Sequence, residues 1–251
     1  MSSSATPSAN GRDNIRRRLA EGAASPLSTY RSLVYGRSSK VGFCLYELVT
    51  TLFGSFPGGL GYLLRKKCYP PFFKKWGQGV ILGKNVTIRH PHRISIGDNV
   101  TIDDNCVLDG RGAGEAGLVL EDRVLVNRNC MLLAKKGPIH IAGRASIGAN
   151  SVIVSTAGVA IGRGALFAGG CYLSAGSYEV DSPLPFIEQE GTSAGPISIG
   201  DNVWLGTRVT VLDGVTVGAH AVIGAHALVS RDIPDHSVAV GVPARTIRKR
   251  G

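Results

Sequence analysis

Near the end of the chain, aliphatic residues return at every sixth position: Ile199, Leu205, Val211, Val217, Ile223 and Val229. Val203, Val209, Val215, Ala221 and Ala227 stand four places after the first five, and Gly200, Gly206, Gly218 and Gly224 directly follow four of the six. An amphipathic helix repeats near 3.6 residues and a half-buried strand at 2, so this spacing fits neither alone. It is the period of a β-helix, in which each hexad supplies one short strand. Traced backward, the inward positions fall at Leu82 and Ile88, then Ile96, Ile102 and Leu108, then Leu120, Val126 and Leu132. They continue at Ile141, Ile147 and Ile153, and at Ile161, Phe167 and Leu173, before Ile199 resumes the count.

Within each trio the step is six; between trios it is eight, twelve, nine, eight and twenty-six. Every insertion therefore follows a third hexad, at one corner of a three-sided coil. The step of twelve leaves room for a weak extra hexad in GRGAGEAG, without disturbing the phase on either side. Three stacked columns follow, exemplified by Ile102, Val126, Ile147, Phe167, Leu205 and Ile223. Coils roughly 4.8 Å apart would make six of them a prism about 30 Å long. Each buried aliphatic contributes about 1.5–3 kcal/mol relative to exposure, which makes the prism the expected source of stability.

The stretch from Val41 to Trp76 has a different texture: two apolar runs, one ending at Phe53 and one at Leu60–Leu64, separated by Gly54, Pro57, Gly58 and Gly59. Neither run reaches the roughly 20 apolar residues needed to span a bilayer. The pattern predicts short helices that cap the open end of the prism, lie at a membrane interface, or do both. Before them, Met1 to Ser28 is rich in Ser, Ala, Gly and Arg without apolar period, and reads as a disordered leader with no convincing signal peptide. The expected organisation is thus a leader over 1–28, a helical, possibly interfacial cap over 29–78, a β-helix over 79–233 with a loop at 174–198, and a C-terminal extension over 234–251 containing a short helix. A cytoplasmic setting is expected, with peripheral contact at the inner face of a membrane through residues 41–76 as one option.

The formal net charge of +10 is concentrated in RDNIRRR, in Arg65–Lys67, in Lys74 and Lys75, and in the terminal RTIRKRG. Anionic partners follow, with a solvated basic face as the alternative. The basic runs lack interleaved aromatics on a repeated surface, which argues against nucleic acid. Cys106, Cys130 and Cys171 each stand four places after a middle-column aliphatic, in one row with Ser151, Val209 and Ala227, and read as small core fillers. No zinc spacing is present, and His220 and His226 share a phase in adjacent hexads, which puts them on different faces. No metal is predicted.

The hexads, the long segment between Leu173 and Ile199, the phrase IGDNVWLG and the ending SRDIPDHSVAVGVPARTIRKR resemble the left-handed β-helix acyltransferases of the hexapeptide-repeat superfamily, sugar O-acetyltransferases of polysaccharide and lipopolysaccharide biosynthesis in particular. The resemblance covers Leu82 to Arg250. It implies a left-handed coil, a homotrimer with active sites between subunits, and acetyl-coenzyme A as donor. By matching motifs it implies coenzyme contacts from Thr207, Ala225, Ser230, Arg231, Arg245 and Arg248, with Trp204 at the groove wall or a subunit interface.

Acyl transfer to a hydroxyl needs a base for its proton and donors for the oxyanion. Relatives supply the base as a histidine at the start of the long loop; here Tyr178 stands at that place. Tyrosine, with an ordinary pKa of about 10, is a poor base at neutral pH. Either Tyr178 is activated, or Asp181, Glu188 or a histidine from a neighbouring chain serves, or the chemistry has been lost. The leading reading is an O-acetyltransferase acting on a sugar hydroxyl, the sugar nucleotide-linked or lipid-linked. The alternative is a catalytically silent trimeric binding or scaffold protein at a membrane surface.

Overall fold

The computed structural model describes residues 25–174, 176–186, 189 and 192–250. From Lys75 onward the chain winds as a left-handed parallel β-helix with three flat faces. The first face has seven strands, from Lys75–Trp76 to Thr216–Val217, and the third has seven, from Thr87–Arg89 to Leu228–Val229. The second has nine, from Ile81–Leu82 to Arg245–Lys249.

The aliphatic columns stack as their spacing requires. Ile102 pairs with Val126, Val126 aligns with Ile147, and Phe167 pairs with Leu205 and Leu205 with Ile223. On the first face Ile96, Leu120, Ile141, Ile161, Ile199 and Val217 are consecutive partners. All of these side chains are buried. Two corners are tight turns whose last residue takes a left-handed backbone, as at Asn99, Arg123, Arg144, Asn202 and His220 between the first and second faces. Asn85, Asn105, Asn129, Asn150, Arg208 and His226 do the same between the second and third. Asparagine dominates because its short polar side chain tolerates that conformation better than most. The third corner takes every insertion, and GRGAGEAG is turn there, not an extra hexad.

The Asp of the two IGDN phrases, and Asp122 at the same place in LEDR, also have a structural task. Asp98 accepts from the Gln78 amide at 2.7 Å, Asp122 from Asp98 at 2.8 Å and Asp201 from Arg163 at 2.7 Å, so each carboxylate ties its turn to the coil before.

Among the described residues three α-helices precede the prism: α1 (Pro26–Val34), α2 (Lys40–Phe53) and α3 (Gly58–Cys68). Ser25 and Ser39 cap the first two through their hydroxyls. Of the expected leader, residues 1–24 lie outside the described residues, and Pro26 already opens α1. The helices close the exposed edge of the first coil. Buried Arg65 donates to the carbonyls of Leu82, Phe53 and Phe56 at 3.0, 3.1 and 2.8 Å, and Tyr46 donates to Ile88 at 2.6 Å. Buried His90 donates to the Ser32 carbonyl at 2.8 Å and packs its ring against Gly36, where any side chain would collide with it. Its ring stacks on His92, centroids 5.6 Å apart.

The short C-terminal helix expected from the sequence is not formed. Arg245–Lys249 is a strand, antiparallel to Ser237–Val240 after a turn at Gly241. Ser237–Val240 would otherwise present a row of unpaired backbone groups, and the returning strand satisfies them.

Two outcomes follow. Ile147→Ala, at mid-column and fully buried, should lower the unfolding free energy by about 2–5 kcal/mol in denaturant titration. Burial, then the Arg37 charge, hold His92 down at about 4, and burial holds His90 below the ordinary histidine value. Both are neutral in the fold, while the unfolded chain takes up protons near pH 6.5. Their contribution is therefore complete above roughly pH 6.5 and is lost as pH falls toward about 4. Melting temperatures measured across that window should fall less steeply in His92→Gln.

Candidate functional site

Thr207 and Ala225 occupy the same position in successive coils, on the corner between the second and third faces. Between them the wall is closely packed: a Cβ on Gly206 would stand 2.6 Å from the Ala225 nitrogen. The C-terminal hairpin folds back onto this corner, with Leu228 donating to Gly241 at 3.0 Å and Ala244 donating to Leu228 at 2.8 Å. Arg245, the next residue and exposed, pairs with Val240, whose side chain lies over Gly224, and Arg248 follows on the same strand opposite Val238. Ser230 and Arg231 come after Val229, at the third corner, so the third face separates them from Thr207 and Ala225. Trp204 stands on the outer side of the second face, half exposed, in register with Leu166 and Val222.

The long insertion leaves the third corner as an arm. Ser177 and Thr192 exchange two backbone bonds of 2.7 Å, and the Gln189 side chain accepts from the Glu179 amide at 3.0 Å. The base of the arm is fastened by Asp213, which accepts from Ala194 at 2.7 Å, and by Gly214 donating to Gly195 at 3.1 Å. Tyr178 is exposed and meets Phe186 edge-on, rings 6.2 Å apart; among the described residues its hydroxyl has no hydrogen-bond partner. Asp181 is exposed at a turn, and Glu188 lies outside the described residues. The arm and the Thr207 corner thus belong to different corners of the triangle, and one chain does not bring the two sets of residues together.

Of the histidines weighed in the sequence, His90 and His92 serve the docking of α1, as described. His220 stacks on His236 with centroids 4.7 Å apart at the first corner, while His226 sits at the second, so the two adjacent-hexad histidines are indeed apart. His140 differs from the rest. It projects outward from the first face, half exposed, and its Nε2 hydrogen-bonds Glu121 Oε1 at 3.0 Å. The other carboxylate oxygen accepts from the Gly143 amide at 2.8 Å, so Glu121 is held from both sides. A carboxylate fixed in this way orients an imidazole, leaving its second ring nitrogen for a proton. A shallow cleft of about 280 Å³ is lined by Lys75, Arg123, Arg144 and Arg163 together with the carboxylates Glu121 and Asp122. Glu121 and His140 are 19 residues apart, and only the stacking of coils makes them neighbours. Among the described residues no group of three or more His, Cys, Asp or Glu is placed to hold a metal ion.

The buried cysteines pack as fillers. Cys106 donates to Asn127 and Cys130 to Gly148, both at 3.1 Å, and Cys171 donates to Ala168 at 3.2 Å.

The family of the bacterial transferase hexapeptide (six repeats) matches residues 196–231, and that of the hexapeptide repeat of succinyl-transferase matches residues 77–110 and 138–175. A probable acetyltransferase of Mycobacterium tuberculosis is 34% identical over 117 residues, 47% of this chain and 39% of that protein. Galactoside O-acetyltransferase of Escherichia coli is 40% identical over 112 residues, 44% of this chain and 54% of the enzyme. The chain thus spans about half or less of the length of these curated relatives. Among solved structures, a variant of AntD, an N-acyltransferase from Bacillus cereus, in complex with dTDP-4-amino-4,6-dideoxyglucose and coenzyme A, superposes with a TM-score of 0.54 at 20% identity. It covers 79% of this chain and 92% of that one, and the likeness is one of fold.

The packing of the sulfurs carries its own prediction. Burial pushes the Cys171 thiol up to about 11, whereas Cys44 is exposed on α2. Iodoacetamide applied to the native protein at neutral pH should label Cys44 and leave Cys106, Cys130 and Cys171 unmodified by mass spectrometry, and all should react after denaturation.

Proposed function

We propose that this chain, which belongs to the hexapeptide-repeat acyltransferase superfamily, is an acyl-coenzyme A-dependent O-acetyltransferase that modifies a sugar hydroxyl and works as a homotrimer. The observation that carries the reading is that Thr207 and Ala225 line one corner of the last coils and the hairpin bearing Arg245 folds over the coil that holds Ala225. The corner offers a flat wall for the extended pantetheine arm, and the basic hairpin with Arg245 and Arg248 offers charge-assisted bonds to the coenzyme phosphates. The curated relatives named above, an O-acetyltransferase among them, support acetyl transfer.

Two features favour several copies. The arm with Tyr178 and Asp181 leaves a different corner from the coenzyme wall, so a neighbour's arm is the natural complement to it. The second face also carries a row of exposed apolar side chains, Ile81, Leu125, Leu166 and Trp204, that subunit packing would cover. In this reading Ser230 and Arg231, at the third corner, face the coenzyme bound with an adjacent copy.

The proton acceptor comes either from the arm, as Tyr178, Asp181 or Glu188, or from His140. The bond to Glu121 favours His140, because it presets the ring to take the proton of the attacking hydroxyl while the carboxylate stabilises the resulting imidazolium. The cleft alongside, with four basic side chains against two carboxylates, suits an acceptor that carries phosphate, as nucleotide-linked and lipid-linked sugars do.

Calorimetric titration with acetyl-coenzyme A should show binding that Arg248→Ala weakens about tenfold, the loss of one charge-assisted phosphate contact. Unchanged affinity removes Arg248 from the coenzyme site. Acetyl transfer to a panel of nucleotide sugars, followed by mass spectrometry, should collapse in His140→Gln and persist in Tyr178→Phe, Asp181→Asn and Glu188→Gln. The reverse pattern assigns the base to the arm.

A further inference from the structure

The helices that close the first coil are more apolar outside than capping requires. On α2 the inward side chains Tyr46, Val49 and Phe53 meet the prism and its flanking aromatic residues. Val41, Leu45, Leu48 and Leu52, spaced by four, three and four, form a second stripe that faces away, each between 49% and 74% exposed. Leu60 and Leu63, similarly exposed on the neighbouring α3, extend it. Such a contiguous apolar surface on a water-facing helix pair calls for a partner.

The charge around the stripe says which. Between Pro26 and Lys75 the chain carries eight Lys and Arg residues and one carboxylate, Glu47, whose Oε2 already accepts from the Tyr30 hydroxyl at 3.3 Å. Lys40, Lys66 and Lys67 are exposed at the helix ends. A second copy docked face to face about a two-fold axis would set like charges against one another. Among the described residues no helix is long and apolar enough to cross a bilayer. An apolar stripe bordered by lysines is the pattern that lies in a headgroup layer.

We propose that the outer face of α2 and α3 is a docking surface for an anionic lipid bilayer. The stripe enters the boundary between headgroups and acyl chains while the flanking lysines meet lipid phosphates. Because the cap seals one end of the prism, the coils rise away from the bilayer. At roughly 4.8 Å per coil, the Thr207 corner then stands about 25 Å above the first coil. The inference rests on the cap alone and is independent of the acetyl-transfer reading.

The test is co-sedimentation of the full chain with vesicles of phosphatidylcholine mixed with phosphatidylglycerol, against phosphatidylcholine alone. The chain should pellet with the mixed vesicles and far less with the neutral ones. Leu45→Glu with Leu48→Glu should reduce partitioning at least about tenfold, and so should Lys66→Glu with Lys67→Glu. Unchanged melting temperatures and far-ultraviolet circular dichroism would show that the variants are folded. A wild-type chain that stays in solution, equal binding to both vesicle types, or folded variants that pellet like wild type would each overturn the proposal. So would a change in oligomeric state on Leu45→Glu with Leu48→Glu without vesicle binding by the wild type, which would mark the stripe as a contact between copies.

Discussion

The register between coils governs this molecule. Parallel backbone bonds hold Ile102 over Val126 and Val126 over Ile147, and the same bonds decide which side chains point inward. A slip by one residue would turn a whole strand's apolar set to solvent, so insertions are confined to a place where they leave the count of six untouched. The third corner is that place. The tight corners cannot lengthen, because their left-handed turn residues and the Asp ties between neighbouring coils have no slack. Variation in this chain is therefore channelled to one edge of the prism, where the arm bearing Tyr178 and Asp181 emerges.

That constraint also explains how the surface acquires its chemistry. Residues far apart in sequence become vertical neighbours, and an outward side chain can be supported by one from the coil below. Glu121 illustrates it. Where the coil after Gly143 has Arg163 in place of an aspartate, the Gly143 amide is left for the Glu121 carboxylate, which reaches His140 with its other oxygen. Arg163, where the repeat departs from aspartate, also lines the cleft beside that acid–imidazole pair.

The columns, the corner that takes insertions and the cysteine row were all legible in the sequence, because a strict period projects directly onto geometry. Ile96, Ile102 and Leu108 sit where counting by six puts them. What counting could not supply was anything set by insertion length or by the ends of the coil. The pairing of His140 with Glu121 depends on a separation of 19 positions that includes a corner insertion. The fate of Arg245–Lys249 depended on the unpaired strand next to it, a requirement of the fold that overrode any local preference for helix. The residues that the motif resemblance assigns to the coenzyme fall at two corners and on the C-terminal strand, a division that a linear motif has no means of expressing.

The two terminations of the prism differ in kind, and this sets the size of the particle. A stack of identical coils has no inherent length, since each edge is a template for the next. Here the upstream edge is blunted by Arg65 and Tyr46, and the downstream edge by an antiparallel return that cannot propagate the parallel pattern. Neither end can recruit the opposite end of another molecule, so a motif that could grow into a fibre is kept as a discrete body with its lateral faces left open for assembly.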